Sequence, residues 1–236
     1  AVGGFSGEGA GNSTGGAGIG GGAGGYGTIV ISGNAQVKNA VGKDGGAGIG
    51  GGVYGLGRVT IEGGTTVNAT GGLSAAGIGG GYGAENDEDD GIGNKIIIRN
   101  TKDGIPDITA TGGDSKLNYA GIYIPGGAGI GSGAGDGSTE GVSLADADIT
   151  IEGTINIVAK GGKDNSAIGA NGDEQVFTGL DGSITRYDSE GNDISLPGDK
   201  VPVAETSSGG SADASVQESV FPGLTVTDKD GQRISY

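Results

Sequence analysis

The chain has 236 residues, 60 of them glycine, with three Phe and neither Trp, Met, Cys nor His. Such a chain lacks the large side chains that fill a globular α/β core, cannot form disulfides, and has no thiolate or imidazole for catalysis or transition-metal binding. Its formal net charge of −16 repels phosphate backbones, which argues against nucleic acid as a partner, and it has no apolar run of membrane-spanning length, so membrane insertion is not expected.

From residue 15 the chain repeats itself. "GGAGIGGG" stands at 15–22 and again at 45–52, "AAGIGGG" at 75–81, "GGAGIGSG" at 126–133, and a degraded "SAIGANG" begins at 166. The glycines keep no G-X-Y register, which rules out collagen. After each of the first four copies comes an apolar run: "GTIVISG" at 27–33, "GRVTIEG" at 57–63, "NKIIIRN" at 94–100 and "DITIEG" at 148–153. A third segment follows: "QVKNAVG" at 36–42, "TVNATGG" at 66–72, "DITATGG" at 107–113 and "NIVAKGG" at 156–162. The first two units are 30 residues apart, within the range of stacked repeats. Three strands and three corners per period predict an all-β chain, a parallel β-helix (β-solenoid) of about five coils with three short strands per coil.

Period two puts Ile29 with Ile31, Val59 with Ile61, Ile96 with Ile98 and Ile149 with Ile151 on inward faces. Stacking then predicts three internal ladders. One holds Ile31, Ile61, Ile98 and Ile151; a second holds Val37, Val67, Ile108 and Ile157; the third holds Ile19, Ile49, Ile78, Ile130 and Ile168. Glycine suits the sharp corners and narrow interior of such a stack, because it alone takes φ > 0 cheaply and lets backbones close in.

The corner after "AGIG" grows along the chain, from "GGAGGYG" and "GGVYGLG" to "GGYGAENDEDDGIGN" and "SGAGDGSTEGVSLADAD", and "DSKLNYAGIYIP" at 114–125 is a second insertion. Inserted loops gather on the working edge of a solenoid, so this edge is the candidate functional surface. Glu85, Asp87, Glu88, Asp89 and Asp90 crowd the third corner, and Asp136, Glu140, Asp146 and Asp148 the fourth. Carboxylate oxygens are the ligands Ca²⁺ takes, so Glu85, Asp87, Asp89, Asp90, Asp136, Asp146 and Asp148 are the metal candidates, without an EF-hand spacing. Tyr26, Tyr54 and Tyr82 lie on the same corner of three successive units, seven, five and four residues after their Ile, and Tyr119 and Tyr123 lie in the second insertion. Sugar rings stack on aromatic faces and tyrosine adds a hydroxyl, which makes these five the ligand candidates.

Catalysis is the competing expectation. Parallel β-helices that cleave acidic polysaccharides include lyases, which use Ca²⁺-bound carboxylates with a Lys or Arg base, and glycoside hydrolases, which use carboxyl pairs. Arg58, Lys95, Arg99 and Lys102 are the candidate bases, with Arg58 and Arg99 able to align on successive strands. The negative charge opposes a polyanionic substrate, so a non-catalytic reading is preferred. The residues between the core pairs, Val30, Thr60, Ile97 and Thr150, form no threonine ladder of the kind an ice-binding face needs.

The alternation of "GAGIGGG", "VTIEGG" and "VNATGG" resembles the glycine-rich repeats of large cell-surface proteins of Gram-positive bacteria, over residues 15–170. The resemblance implies a monomeric β-helical module of a larger secreted or wall-associated adhesin, binding carbohydrate or a host-surface glycoprotein, and it transfers no catalytic residue. A purely structural stalk is a further alternative. Residues 1–170 are read as the helix and 171–236 as an irregular last coil, a linker, and a β-hairpin cap or the start of an adjoining domain. "SITRYDSEGNDISL" at 183–196 and "LTVTDKDGQRISY" at 224–236 are the two expected hairpins.

Overall fold

The structure is a computed structural model that describes residues 1–4, 15–86, 93–117, 121–135, 146–178 and 180–199, and in them the chain is all-β with no helix. In chain order come β1 (Ile19–Gly20), β2 (Gly27–Ile31) and β3 (Gln36–Val41), then β4 (Ile49–Gly50), β5 (Gly57–Glu62) and β6 (Thr66–Thr70), then β7 (Ile78–Gly79), β8 (Asn94–Arg99) and β9 (Asp107–Thr111). A short hairpin of β10 (Lys116–Leu117) and β11 (Tyr123–Ile124) follows, then β12 (Ile130–Gly131), β13 (Ala147–Glu152) and β14 (Thr154–Lys160), and last β15 (Ile168–Ala170), β16 (Asp173–Glu174) and β17 (Asp181–Tyr187). The chain returns to three sheets in turn, with orders β1-β4-β7-β12-β15-β16, β2-β5-β8-β13 and β3-β6-β9-β14-β17. Within these sheets every pair is parallel except β15 with β16.

The register joins the residues that the sequence pattern lines up. Ile31 pairs Ile61, Ile61 pairs Ile98 and Ile98 pairs Ile151. Val37 pairs Val67, Val67 pairs Ile108 and Ile108 pairs Ile157, and this ladder gains Ile184 from β17. Ile19, Ile49, Ile78, Ile130 and Ile168 form the third. Apart from Ile19 and Val37, which are partly buried, these side chains are buried in one core cluster. Each contributes about 1.5–3 kcal/mol by leaving water.

The short first sheet has a polarity of its own. In the first copy Gly18 N–H donates to Ala47 O, Ile19 N–H to Gly48 O and Gly21 N–H to Gly50 O, each at 2.9–3.0 Å. The second and third copies repeat this toward Ala76, Gly77 and Gly79, then toward Ala128, Gly129 and Gly131. These donors all point to the following copy, so the stack has a carbonyl end and an N–H end. Adopting that geometry takes φ values of +132 to +154° at Gly20, Gly50, Gly79, Gly131 and Gly169, where glycine is the only comfortable residue. Each copy also closes on itself, Ala17 N–H to Gly21 O, Ala47 to Gly51, Ala76 to Gly80 and Ala128 to Ser132.

One expectation needs revision. Residues 183–196 are not chiefly a hairpin: β17 joins β14 in parallel over seven residues, and the antiparallel part reduces to one bridge between Tyr187 and Asp193. The cause is the Ile184 side chain, which gains more by extending the second ladder than by facing a two-stranded ribbon. Past residue 170, the end of β15, the first sheet continues through antiparallel β16 and the third through parallel β17, while the second sheet ends at β13. Compact units divide the chain into Ala1–Val203 and Ala204–Tyr236, and the hairpin expected at 224–236 lies outside the described residues.

Candidate functional site

The long corners meet at their bases. Asn94 occupies the register position held by Gly57 and Gly27 in the preceding strands and by Ala147 in the next. It is fully buried, its Oδ1 accepting Gly57 N–H at 2.9 Å while its Nδ2 donates to Asp146 O at 3.2 Å. Beside it, Asp146 N–H donates to Asn86 Oδ1 at 2.9 Å and Asn86 Nδ2 to Asp146 Oδ2 at 3.3 Å. These bonds tie the corner at 80–93 to the corner at 131–146. Glu85, Asp146 and Asp148 are exposed on this edge, whereas Asp87, Glu88, Asp89, Asp90, Asp136 and Glu140 lie outside the described residues. Among the described residues no three acidic side chains group closely enough to hold a metal ion.

The tyrosines divide into two kinds. Tyr26, Tyr54 and Tyr123 are 50%, 44% and 42% exposed, whereas Tyr82 is 5% exposed and packs with Val53, Ile124 and Ala134. Tyr119 lies outside the described residues. The second insertion, expected at the other end of its unit, reaches this corner: Lys116 sets its Nζ 3.3 Å from the centre of the Tyr82 ring. Burial pushes the Lys116 ammonium down to about 8, against a smaller upward pull from Asp44. Tyr82 therefore offers no open face and instead supports Tyr54, whose ring centre lies 5.9 Å away at a 47° tilt.

Tyr54 sits where the neighbouring units have Gly24 and Gly83, with φ near +70°, and itself adopts φ +59°. Its ring covers Gly83, where a Cβ would come within 2.6 Å of Tyr54 Cδ1. A bulky residue in this left-handed conformation costs on the order of 1–3 kcal/mol, and such strain clusters at working surfaces.

Tyr123 donates its hydroxyl proton to Asp164 Oδ2 at 2.7 Å, and Lys163 Nζ lies 5.6 Å from its ring. Asp164 also lines an open groove of about 420 Å³ with Gly162, Asn165, Gly172, Asp188, Ser189 and Glu190. Hydrogen bonds from Asn192, and lesser ones from Glu190 and Gly191, hold the Asp188 carboxyl below its usual range. The sequence pattern missed Lys116, Asp164 and this groove. The "GGKDNS" corner repeats "GKDGG" of the second copy, and that recurring Lys-Asp was the signal available.

The basic residues do not assemble as expected. Arg58 is in register with Lys95 rather than Arg99, while Arg99 stands beside Glu62 and donates to it from Nη2 at 2.7 Å. A one-for-one pairing with a neighbouring carboxylate at the surface accounts for Arg99 without chemistry. The chain matches no protein-family model, and comparison with curated proteins and with solved structures gives no similar chain.

Proposed function

We propose that the chain is a non-catalytic binding module whose three parallel sheets are the faces of a parallel β-helix of about five coils, three short strands to a coil, and whose long-loop edge binds carbohydrate. The observation that carries the reading is Tyr123. Its ring is exposed, its hydroxyl is fixed by Asp164, and Asp164 continues into a groove lined by carboxylate, amide and hydroxyl groups. An aromatic face beside convergent polar groups is what a sugar ring requires, apolar C–H faces on one side and hydroxyls on the other. Tyr54, held in a strained turn on the same side of the chain as Tyr82 and Lys116, is the second stacking face, and Tyr26 is a third. The repeat pattern supports a secreted or wall-associated setting, as a module of a Gram-positive surface adhesin. Ca²⁺ held by the acidic corners is the cofactor proposal, supported by the hydrogen bonds that bring Asn86 and Asp146 together.

The test is a glycan array probed with the purified chain, once with Ca²⁺ and once with chelator, followed by Tyr123→Ala and Tyr54→Ala. Binding to a defined glycan, weakened at least tenfold by Tyr123→Ala with an unchanged circular dichroism spectrum, supports the module and its site. Loss on chelation supports the metal. A blank array under both conditions overturns the carbohydrate reading in favour of a spacer. Retained binding by Tyr123→Ala moves the site elsewhere.

A further inference from the structure

The stack of AGIG segments ends at Ala167–Gly169, and its N–H end needs acceptors there. In each earlier copy the alanine N–H donates to a carbonyl four residues on, and the isoleucine N–H donates to a carbonyl of the following copy. In the last copy one carboxylate replaces both. Ala167 N–H donates to Glu174 Oε1, and Ile168 N–H to Glu174 Oε2 at 3.1 Å. The same Oε2 accepts from Arg186 Nη1 at 2.6 Å. Gln175 completes the edge, its N–H on Ile168 O at 2.8 Å and its side-chain amide on Ile149 O at 2.9 Å.

Arg186 is fully buried because of where it stands. It pairs Ala159 in a ladder that otherwise runs Ala40, Ala69, Ala110, Ala159. A guanidinium would not fit between two coils at that position. At β17, the last of the described strands, it spends all five N–H donors, on Glu174, Ile168 O, Gln175 O and both oxygens of Asp199. Phe177 covers it, with its ring centre 5.6 Å from Cζ.

We infer that the N–H end of the stack is a carboxylate-binding site, made by the Ala167 and Ile168 N–H groups and the Arg186 guanidinium, with Glu174 as its resident, intramolecular ligand. Consecutive N–H groups aimed at one point, backed by a buried cation, are the chemistry of an anion nest. The Glu174 side chain is 20% exposed, so removing it opens the site to small anions from solvent.

The experiment uses the full chain with Glu174→Ala and thermal unfolding in sodium formate, acetate or chloride at equal ionic strength. Glu174→Ala is expected to lower Tm by roughly 6–15 °C, since it takes one of two carboxylates from the buried Arg186 and leaves two N–H groups without acceptors. Formate is expected to restore at least half of that loss with a saturable dependence, acetate less, chloride little, and the wild type is expected to respond to none. Glu174→Gln, which keeps the shape without the charge, is expected to fall between the two and to ignore formate. Should Glu174→Ala fail to fold alone, refolding yield in formate against chloride reads the same quantity. Equal responses to formate and chloride, or a formate response as large in wild type, overturns the inference.

Discussion

Replacing Gly50 with alanine tests the reason for the repeated glycines most directly. A Cβ built there lies 1.9 Å from Gly79 O, 2.9 Å from Gly79 C and 3.2 Å from Gly79 Cα. Carbon and oxygen normally approach to about 3.3–3.6 Å. The strands would have to part by about 1.4 Å, in a ladder whose spacing is about 4.8 Å, breaking the bonds from Gly51 N–H to Gly79 O and from Ile49 N–H to Gly77 O. The residue also sits at φ +138°, a conformation that costs an alanine about 1–3 kcal/mol by itself. Adding an overpacking cost of about 1–3 kcal/mol brings the expected loss to about 4 kcal/mol, a large share of a typical stability of about 5–15 kcal/mol. Two controls separate the causes. Gly24 has open space but φ +70°, so Gly24→Ala measures conformation alone, about 1–2 kcal/mol. Gly22 has open space and no positive φ, so Gly22→Ala is expected within about 0.5 kcal/mol of wild type. Urea unfolding followed by circular dichroism ranks the three. If Gly50→Ala costs no more than Gly24→Ala, close stacking is not what selects glycine at this position.

Four further outcomes are expected. Lys116 is expected to titrate near 8 by NMR, and because its ordinary value is 10.5, the unfolded chain holds a proton between those values that the folded chain lacks. This group therefore weakens folding fully below pH 8 and its penalty is relieved as pH rises toward 10.5, so wild type gains stability relative to Lys116→Met between pH 7.5 and 9.5; an equal slope in both refutes the assignment. Asn94→Ala is expected to cost about 1–3 kcal/mol in urea unfolding, since it leaves the buried Gly57 N–H without its acceptor. Asp199→Ala, which takes the buried carboxylate from Arg186 and leaves two of its N–H donors unpaired, is expected to cost about 3–5 kcal/mol, whereas Arg99→Ala, which breaks an exposed pair, is expected to cost less than about 1 kcal/mol. A cost for Arg99→Ala equal to that for Asp199→Ala contradicts the distinction between the two ion pairs.

The ladders were legible because a repeat multiplies a weak signal. Ile31 alone is one apolar residue in a short run, but Ile31, Ile61, Ile98 and Ile151 in matching segments fix a face and a register together. The second insertion was not legible in the same way. It has no counterpart in the other units, so nothing in its own pattern says that Lys116 folds back onto Tyr82. Tyr26, Tyr54 and Tyr82 look alike as three tyrosines on one corner, yet an offset of one or two residues within a tight glycine turn decides burial. Tyr54 falls on the left-handed position and stays exposed, and Tyr82, one residue nearer its isoleucine, turns inward beside Val53.

Arg186 carries the argument one step further. In "SITRYD" the alternation that puts Ile184 inside puts Arg186 inside too, since residues two apart share a face of a strand. A charge on an inward position ordinarily counts against a strand. Here it marks the last of the described strands: among them β17 pairs β14 alone, which leaves room for a guanidinium, and beside it the Ala167 and Ile168 N–H groups donate to a carboxylate in place of a carbonyl. A strand that breaks the inward apolar rule with an arginine, within about 15 residues of two or more carboxylates, therefore reads as a terminator of this kind of repeat, its charge answered by residues such as Glu174 and Asp199. Moving that arginine inward tests the rule. Ala110→Arg, at the same ladder position but between paired strands on both sides, is expected to prevent folding, because Ala69 and Ala159 flank it and leave no room for a buried guanidinium. A folded Ala110→Arg chain would mean that the end of the stack is not what makes room for Arg186.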